Sequence, residues 1–420
     1  MQRGTIIVGT GQAGFQTAAS LRANGYQEDI TLIGEEPHIP YQRPPLSKGF
    51  LMGEQNLENI QLRPERFYQD QRINLLAGEK VIAIERSDRR LKLASGGTVS
   101  YDILVLAVGV RNRALSPRGA EIDGVLYLRS LDDAIVTKNR LISAQEITII
   151  GGGFIGLEIA AAAASMGKSV TVVEALPRLM SRVVSPIISD FYCALHRERG
   201  VKILCHSTVS NIAFCDGTVR CVELTNRLSV PADLVIVGIG VVPNTELARD
   251  AGLSVGNGVS VNQFLMTEDQ NIYAIGDCAE YPSTFAGGRI RLESVQNAAD
   301  QAQCVAASIA GKRGRYEALP WFWTDQFGTK LQIAGISTGS DCVVTRGAPG
   351  TRRFSLFYFR RNQLIAVDSV NRPGDHVFAR KLIASRVPIN PEEVADESLD
   401  LKSLANREGM SEGHSRSANQ

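Results

Sequence analysis

A Gly-x-Gly-x-x-Gly signature that follows an apolar run occurs twice in this chain, and it constrains the fold more than any other feature. The first copy reads Thr5-Ile-Ile-Val-Gly9-Thr-Gly11-Gln-Ala13-Gly14 and then enters an Ala-rich helical pattern. The second reads Ile147-Thr-Ile-Ile150-Gly151-Gly-Gly153-Phe154-Ile155-Gly156 and does the same. Each predicts a buried strand, a tight turn and a helix. The first glycine allows the turn, the second lets backbone approach a pyrophosphate, and the third lets the helix pack on its strand. The free N–H groups at the helix start then face the phosphates. A second strand and an acid follow each copy: Ile30-Thr-Leu-Ile33 before Gly34-Glu35, and Val170-Thr-Val-Val173 before Glu174. A carboxylate there accepts hydrogen bonds from ribose hydroxyls. Glu174 ends its strand directly and repels a 2′-phosphate, which favours NADH over NADPH, with Arg178 near enough to soften the preference. One domain duplicated with a vestigial copy is the alternative to two working sites. Both copies keep three glycines and an acid, which favours two.

At 420 residues the chain is too long for one ordinary core, so two or three domains are expected. A net charge of +1 argues against nucleic-acid binding through bulk positive charge. No apolar run is long enough to span a membrane. The first strand starts close to Met1, leaving no room for a signal peptide. The seven cysteines form no CxxC, and the first 192 residues contain none. That pattern argues against disulfides, a cysteine-held cluster or a zinc site, and it fits free thiols in a reducing cytoplasm.

Between the glycine motifs, Arg43-Pro44-Pro45-Leu46-Ser47-Lys48 reads as a rigid loop turning into a short helix. Ser47 is placed to cap it, and Lys48 is a candidate to touch a cofactor. The charges of Arg86-Ser-Asp-Arg-Arg90 suit a solvated hairpin tip. After Glu174 the pattern predicts a polar helix containing Arg182 and a second helix near 186–199. Gln270-Asn-Ile-Tyr-Ala-Ile-Gly276-Asp277 is a strand ending in Gly-Asp before a helix; its carboxylate can bind a polyol chain or cap that helix. Residues 294–310 form an amphipathic helix. Beyond Tyr316, alternating strands and a last helix near 374–386 suggest a third, α+β domain. Trp321 and Trp323, two apart on an extended segment, share one face, with core packing as the default. Residues 401–420 are polar, lack an apolar pattern and are expected to be disordered.

Six short motifs in order carry a resemblance spanning about residues 4–400. They are Arg43-Pro-Pro-Leu-Ser-Lys48, Gly151-Gly-Gly-Phe-Ile-Gly-Leu-Glu158, Gly238-Ile-Gly-Val-Val-Pro-Asn244, Ile275-Gly-Asp-Cys-Ala279, Glu293-Ser-Val-Gln-Asn297 and Pro320-Trp-Phe-Trp-Thr-Asp-Gln326. With them the chain resembles the FAD-dependent NADH:ferredoxin reductases that serve bacterial monooxygenases and dioxygenases. The resemblance implies an α/β fold of glutathione-reductase-like architecture. It has two Rossmann-like domains, one for FAD (1–112 and 243–318) and one for NADH (113–242), followed by an α+β domain (319–400). It also implies roles. Gly9, Gly11, Ala13 and Gly14 hold the FAD pyrophosphate, Glu35 the adenosine ribose, and Val81 backs the adenine. Lys48 and Arg129 approach the flavin and its phosphates, Asp277 binds the ribityl chain, Val295 meets the ring edge, and Trp323 packs close to the ring. Gly151, Gly153, Ile155 and Gly156 hold the NADH pyrophosphate, Glu174 and Arg182 its adenosine half, and Glu158 the nicotinamide amide. Phe154 screens the flavin until nicotinamide enters. One departure is Ala107-Val108-Gly109, where the family shows a threonine in the middle.

The activity so implied is hydride transfer from NADH to flavin, then single-electron transfers to an acidic 2Fe–2S ferredoxin that docks transiently. No catalytic side chain and no metal is expected, and the protein is a monomer or weak homodimer. Two other readings share the architecture. A disulfide reductase would need a redox cysteine in the first domain, while an NAD(P)H oxidase would not. A signalling flavoprotein of the apoptosis-inducing-factor type would carry a targeting segment and a basic surface.

Overall fold

The computed structural model describes residues 4–115, 123–386 and 388–405. Each glycine motif sits in its own five-stranded parallel sheet. In the first, Thr5–Val8 is central, flanked by Ile30–Gly34 and Ile103–Leu106, with Ile73–Ala77 and Ile272–Ala274 at the edges. In the second, Glu146–Ile150 is central, flanked by Ser169–Val173 and Leu234–Val237, with Lys202–Leu204 and Val125–Tyr127 at the edges. Continuous apolar runs make these strands: Ile6, Ile7, Leu104, Val105, Ile149 and Val172 are all buried, as a sheet covered on both faces requires. The edge strand Ile272–Ala274 comes from beyond the second sheet, so the first unit is interrupted by the second. The chain leaves through Val110–Asn112 and returns through Val241–Pro243, and these two segments pair antiparallel as a double crossing. Asn244 Nδ2 donates to the Val108 carbonyl at 2.8 Å, so position 108 serves this joint through its backbone.

The third unit is an antiparallel sheet in the order Trp321–Gln326, Thr329–Gly335, Gln363–Val370, Arg353–Arg360, Cys342–Ala348. Strand alternation divides its side chains. Phe354, Leu356 and Tyr358 join the core of the second unit, while Phe357 and Phe359 pack under the helix Pro373–Ser385. The segment Tyr41, Leu46, Phe50 and Leu51 from the first unit also belongs to the second unit's core. Three units therefore meet where these segments cross.

Three local expectations fail. Residues around Arg182 form turns, not a helix, because Arg178 folds inward and donates to the Ser181 and Val184 carbonyls. Gly276–Cys278 is a single 3-10 turn that leads into the strand Ala279–Ser283, so Asp277 caps no helix. Residues Leu401–Ala405 form a helix, with Leu401 and Leu404 buried three apart on one face. Buried Arg346 fastens the segment before it, donating to the carbonyls of Val394, Asp396 and Leu399. Residues 406–420 lie outside the described residues.

Candidate active site

The two glycine loops have the same geometry, and each glycine does a different job. Gly9 and Gly151 adopt φ of +114° and +110°, which a side chain rarely tolerates. A Cβ on Gly14 would lie 1.8 Å from the Gly9 carbonyl oxygen, and one on Gly156 would lie 2.2 Å from that of Gly151. A Cβ on Gly11 or Gly153 would meet nothing within 4 Å. The middle glycines therefore face open space, where a pyrophosphate would stand. The helices Gln12–Ala23 and Phe154–Ser165 begin at Gly11 and Gly153 without a side-chain cap or an acid in the first turn. The helix Leu131–Ser143 is instead closed by a Ser130–Asp133 capping box, and Val295–Ile309 is capped by Ser294. Uncapped N–H groups at both glycine helices fit a phosphate as partner. Ala13 is buried in the first turn, against Gly276.

A second observation also fits an anion in the first unit. Arg43 and Arg129 lie together with two carboxylates between them: Glu36 at 2.5 Å from Arg43, and Asp277 at 3.6 Å from Arg129. Burial, then Asp277's attraction outweighed by Arg43's repulsion, holds Arg129 below its ordinary value. Burial pushes the Asp277 carboxyl up, with Arg129 opposing. Gln301 holds this turn by accepting from the Gly276 N–H at 2.7 Å. Arg129 Nε donates to the Val110 carbonyl at the double crossing.

A cleft of about 550 Å³ opens beside the first glycine helix. Gln12, Pro45, Lys48, Val295, Trp323 and Lys330 are among its walls. Val295 is the first residue of its helix, and the Ser294 hydroxyl donates to the Trp321 carbonyl, so the third unit is tied to this rim. The tryptophans share a face as expected, with ring centroids 5.7 Å apart. Trp321 packs into the third unit's core while Trp323 borders the cleft.

Behind Lys48, all three units converge on Glu158, which is 6% exposed. Its Oε2 lies 2.6 Å from Lys48 Nζ and accepts from Ser47 Oγ at 2.6 Å, and its Oε1 accepts from Thr324 Oγ1 at 2.6 Å. Ser47, expected to cap a short helix, instead ends the 3-10 turn Pro44–Ser47 and gives its proton to this carboxylate. Phe154, one turn before Glu158, stands edge-on to Phe322 at 4.5 Å. Four helical residues rise about 6 Å and two strand residues about 6.6 Å, so Phe154 and Glu158 match Phe322 and Thr324 step for step.

The remaining candidates lie at the far ends of the two glycine motifs. Glu174 accepts from the N–H groups of Gly152 and Leu176 at 2.6 and 2.8 Å, which fixes its carboxylate over the second glycine loop. Arg182 is exposed, with its guanidinium beside Gly240, and Ile155 is 45% exposed in the first helical turn. Glu35 is exposed and pairs with Lys80 at 3.2 Å. Val81 is buried in the first unit's core. Sequence reasoning missed Thr324 and assigned Ser47 another task; only their hydroxyls hinted at a polar partner.

A model of the pyridine nucleotide-disulphide oxidoreductases matches residues 4–302, and one described as reductase C-terminal matches residues 321–405. Rhodocoxin reductase of Rhodococcus erythropolis is 46% identical over 94% of this chain and 93% of its own. Putidaredoxin reductase of Pseudomonas putida is 41% identical over 95% and 96%. Among solved structures, the covalent putidaredoxin reductase–putidaredoxin complex aligns with a TM-score of 0.94 at 40% identity, over 97% of this chain and 99% of that one. The double glycine cradle, the interrupted first unit and these matches lead to one conclusion: the chain belongs to the pyridine nucleotide-disulphide oxidoreductase family and carries a reductase C-terminal domain.

Proposed function

We propose that the chain is an FAD-dependent reductase that passes electrons from NADH to a 2Fe–2S ferredoxin feeding an oxygenase. The observation that carries this reading is the ion pair by which Glu158, on the second glycine helix, holds Lys48 of the cleft wall at 2.6 Å. When bound, FAD supplies two-electron acceptance from NADH and one-electron release to the ferredoxin. Residues 1–112 and 243–318 bind FAD, and 113–242 bind NADH. Gly9, Gly11 and Gly14, with Ala13, receive the FAD pyrophosphate. Arg129 faces its negative charge, Asp277 takes the ribityl hydroxyls, and Glu35 and Val81 serve the adenosine end. Val295 and Trp323 border the ring. Gly151, Gly153, Ile155 and Gly156 receive the NADH pyrophosphate, Glu174 and Arg182 its adenosine, and Phe154 screens the cleft. Glu158 holds the Lys48 ammonium at the cleft wall and serves the nicotinamide amide. No residue is required to move a proton.

The names of the relatives, and the complex of one of them with putidaredoxin, support an iron–sulfur ferredoxin as acceptor. All seven cysteines are free, and none lines the cleft. Cys278, next to Asp277, is fully buried, and burial pushes its thiol up to about 11, leaving no thiolate for disulfide exchange. The exposed run Lys312, Arg313 and Arg315 suits a transient acidic partner. No helix among the described residues is long and apolar enough to cross a membrane. The working protein is a cytoplasmic monomer or weak homodimer. The test is anaerobic titration of the FAD-reconstituted protein with NADH, followed by addition of a 2Fe–2S ferredoxin. Bleaching of the flavin and then of the ferredoxin is expected. A flavin that stays oxidised sinks the reading, and brisk NADH use in air with no transfer to ferredoxin favours an oxidase.

A further inference from the structure

A chain of hydrogen bonds runs from Glu158 away from the cleft to a histidine without an assigned role. Thr324 Oγ1 donates to Glu158 Oε1, Gln326 Nε2 donates to Thr324 Oγ1 at 3.2 Å, and Gln326 Oε1 meets His196 Nε2 at 2.8 Å. Thr324 and His196 are 0% exposed and Gln326 is 1%. Thr324 and Gln326 lie two apart on one strand, so both point the same way, while His196 comes from the helix Pro186–Glu198. His196 Nδ1 is buried and has no partner.

The direction of the chain follows from one charge. An ionised carboxylate can only accept, so Thr324 must give its single proton to Glu158. Its lone pair then takes the Gln326 amide N–H. That turns the Gln326 carbonyl toward His196, which must donate from Nε2 and leave Nδ1 bare. Burial lowers the His196 value, which keeps the ring neutral, as a bare buried nitrogen requires. A neutral Glu158 could donate and would permit the whole chain to reverse, with the proton on Nδ1. The histidine tautomer therefore reports the charge of a carboxylate three side chains away.

We infer that Thr324, Gln326 and His196 are positioning residues for the Lys48–Glu158 pair. By filling Oε1 from behind, they leave Oε2 to Ser47 and Lys48 and so hold the ammonium at the cleft wall. The role of that ammonium rests on the proposal that the cleft receives the flavin ring. The relay itself rests on the hydrogen-bond geometry and the Lys48–Glu158 ion pair.

The test uses the full-length protein labelled with nitrogen-15 in its histidine rings, without added cofactor. His196 signals are assigned by their loss in His196→Asn. Wild type is expected to show Nε2 protonated and Nδ1 bare. Thr324→Val frees the Gln326 amide to turn and gives a mixture of both tautomers, and Thr324→Ser restores the single form. A proton on Nδ1 in wild type, or a pure Nε2–H form in Thr324→Val, overturns the relay. In the FAD-loaded protein, Thr324→Val is expected to move the flavin midpoint potential to more negative values, because Lys48 is drawn toward the vacated Oε1. Thr324→Ser returns it, and in a Lys48→Met background Thr324→Val has no further effect. An equal shift with and without Lys48 overturns the positioning role. A protein that holds no flavin refutes the proposed function, while the imidazole signals still decide the relay.

Discussion

Lys48 Nζ and Glu158 Oε2 stand 2.6 Å apart across the junction of the two nucleotide-binding units, although 110 residues separate them in the chain. The lysine keeps 23% of its side chain exposed toward the cleft, while the carboxylate behind it is buried. Glu158 is thus a fixed counter-charge, and Lys48 is the more exposed member of the pair.

Removing one partner is expected to destabilise more than neutralising it. Glu158→Ala leaves the Thr324 hydroxyl without an acceptor and the Lys48 ammonium without its counter-charge, and should lower unfolding free energy by about 3 kcal/mol. Glu158→Gln keeps an acceptor and the volume, and should lose less than half of that. Urea denaturation of the two variants checks the order.

The glycines separate folding from binding. Gly14→Ala drives a methyl into the Gly9 carbonyl and should abolish soluble expression. Gly11→Ala puts its methyl into open space at an ordinary φ of -70°. It should leave the melting temperature of the cofactor-free protein unchanged and weaken FAD binding by about 10- to 100-fold. Gly153→Ala should leave flavin content unchanged and raise the KM for NADH. Flavin content and steady-state kinetics of the three variants distinguish these outcomes.

Nucleotide preference is expected to rest on Glu174. Arg178 is committed to the Ser181 and Val184 carbonyls, so no nearby cation offsets the carboxylate from that side. Glu174→Gln keeps an acceptor for the Gly152 N–H and removes the charge facing a 2′-phosphate. The ratio of kcat/KM for NADPH to that for NADH should rise about tenfold. An unchanged ratio would place the discrimination elsewhere.

Asp368 makes stability depend on pH. It is 1% exposed, and burial pushes its carboxyl up to about 7 against the Tyr358 hydroxyl that donates to it at 2.6 Å. The unfolded chain ionises this group near 3.8, while the folded protein still binds the proton. Its contribution is therefore full below 3.8 and lost as pH rises through 7. Relative to Asp368→Asn, wild type should lose on the order of 2–4 kcal/mol between about pH 4 and about pH 8. Urea midpoints of both proteins at the two pH values measure this; an opposite slope excludes it.

The sequence alone determined both glycine cradles, their acids, the parallel strands around them and the third unit. Each of these is encoded in contiguous residues: apolar runs make strands, glycine spacing makes turns, and the periods of 2 and 3.6 place side chains on faces. The local errors had local causes as well. Polar residues around Arg182 suited a helix until Arg178 tied them into turns, and Leu401 and Leu404 were too short a pattern to register without the core that buries them. What only the tertiary structure decided is the meeting at Glu158. A helix matched to a strand every four residues against two, and a loop from the first unit laid over both, leave no trace in any one segment. Ser47, Thr324, Gln326 and His196 became partners because separate elements brought their polar atoms into one dry place, where each had to be satisfied by another.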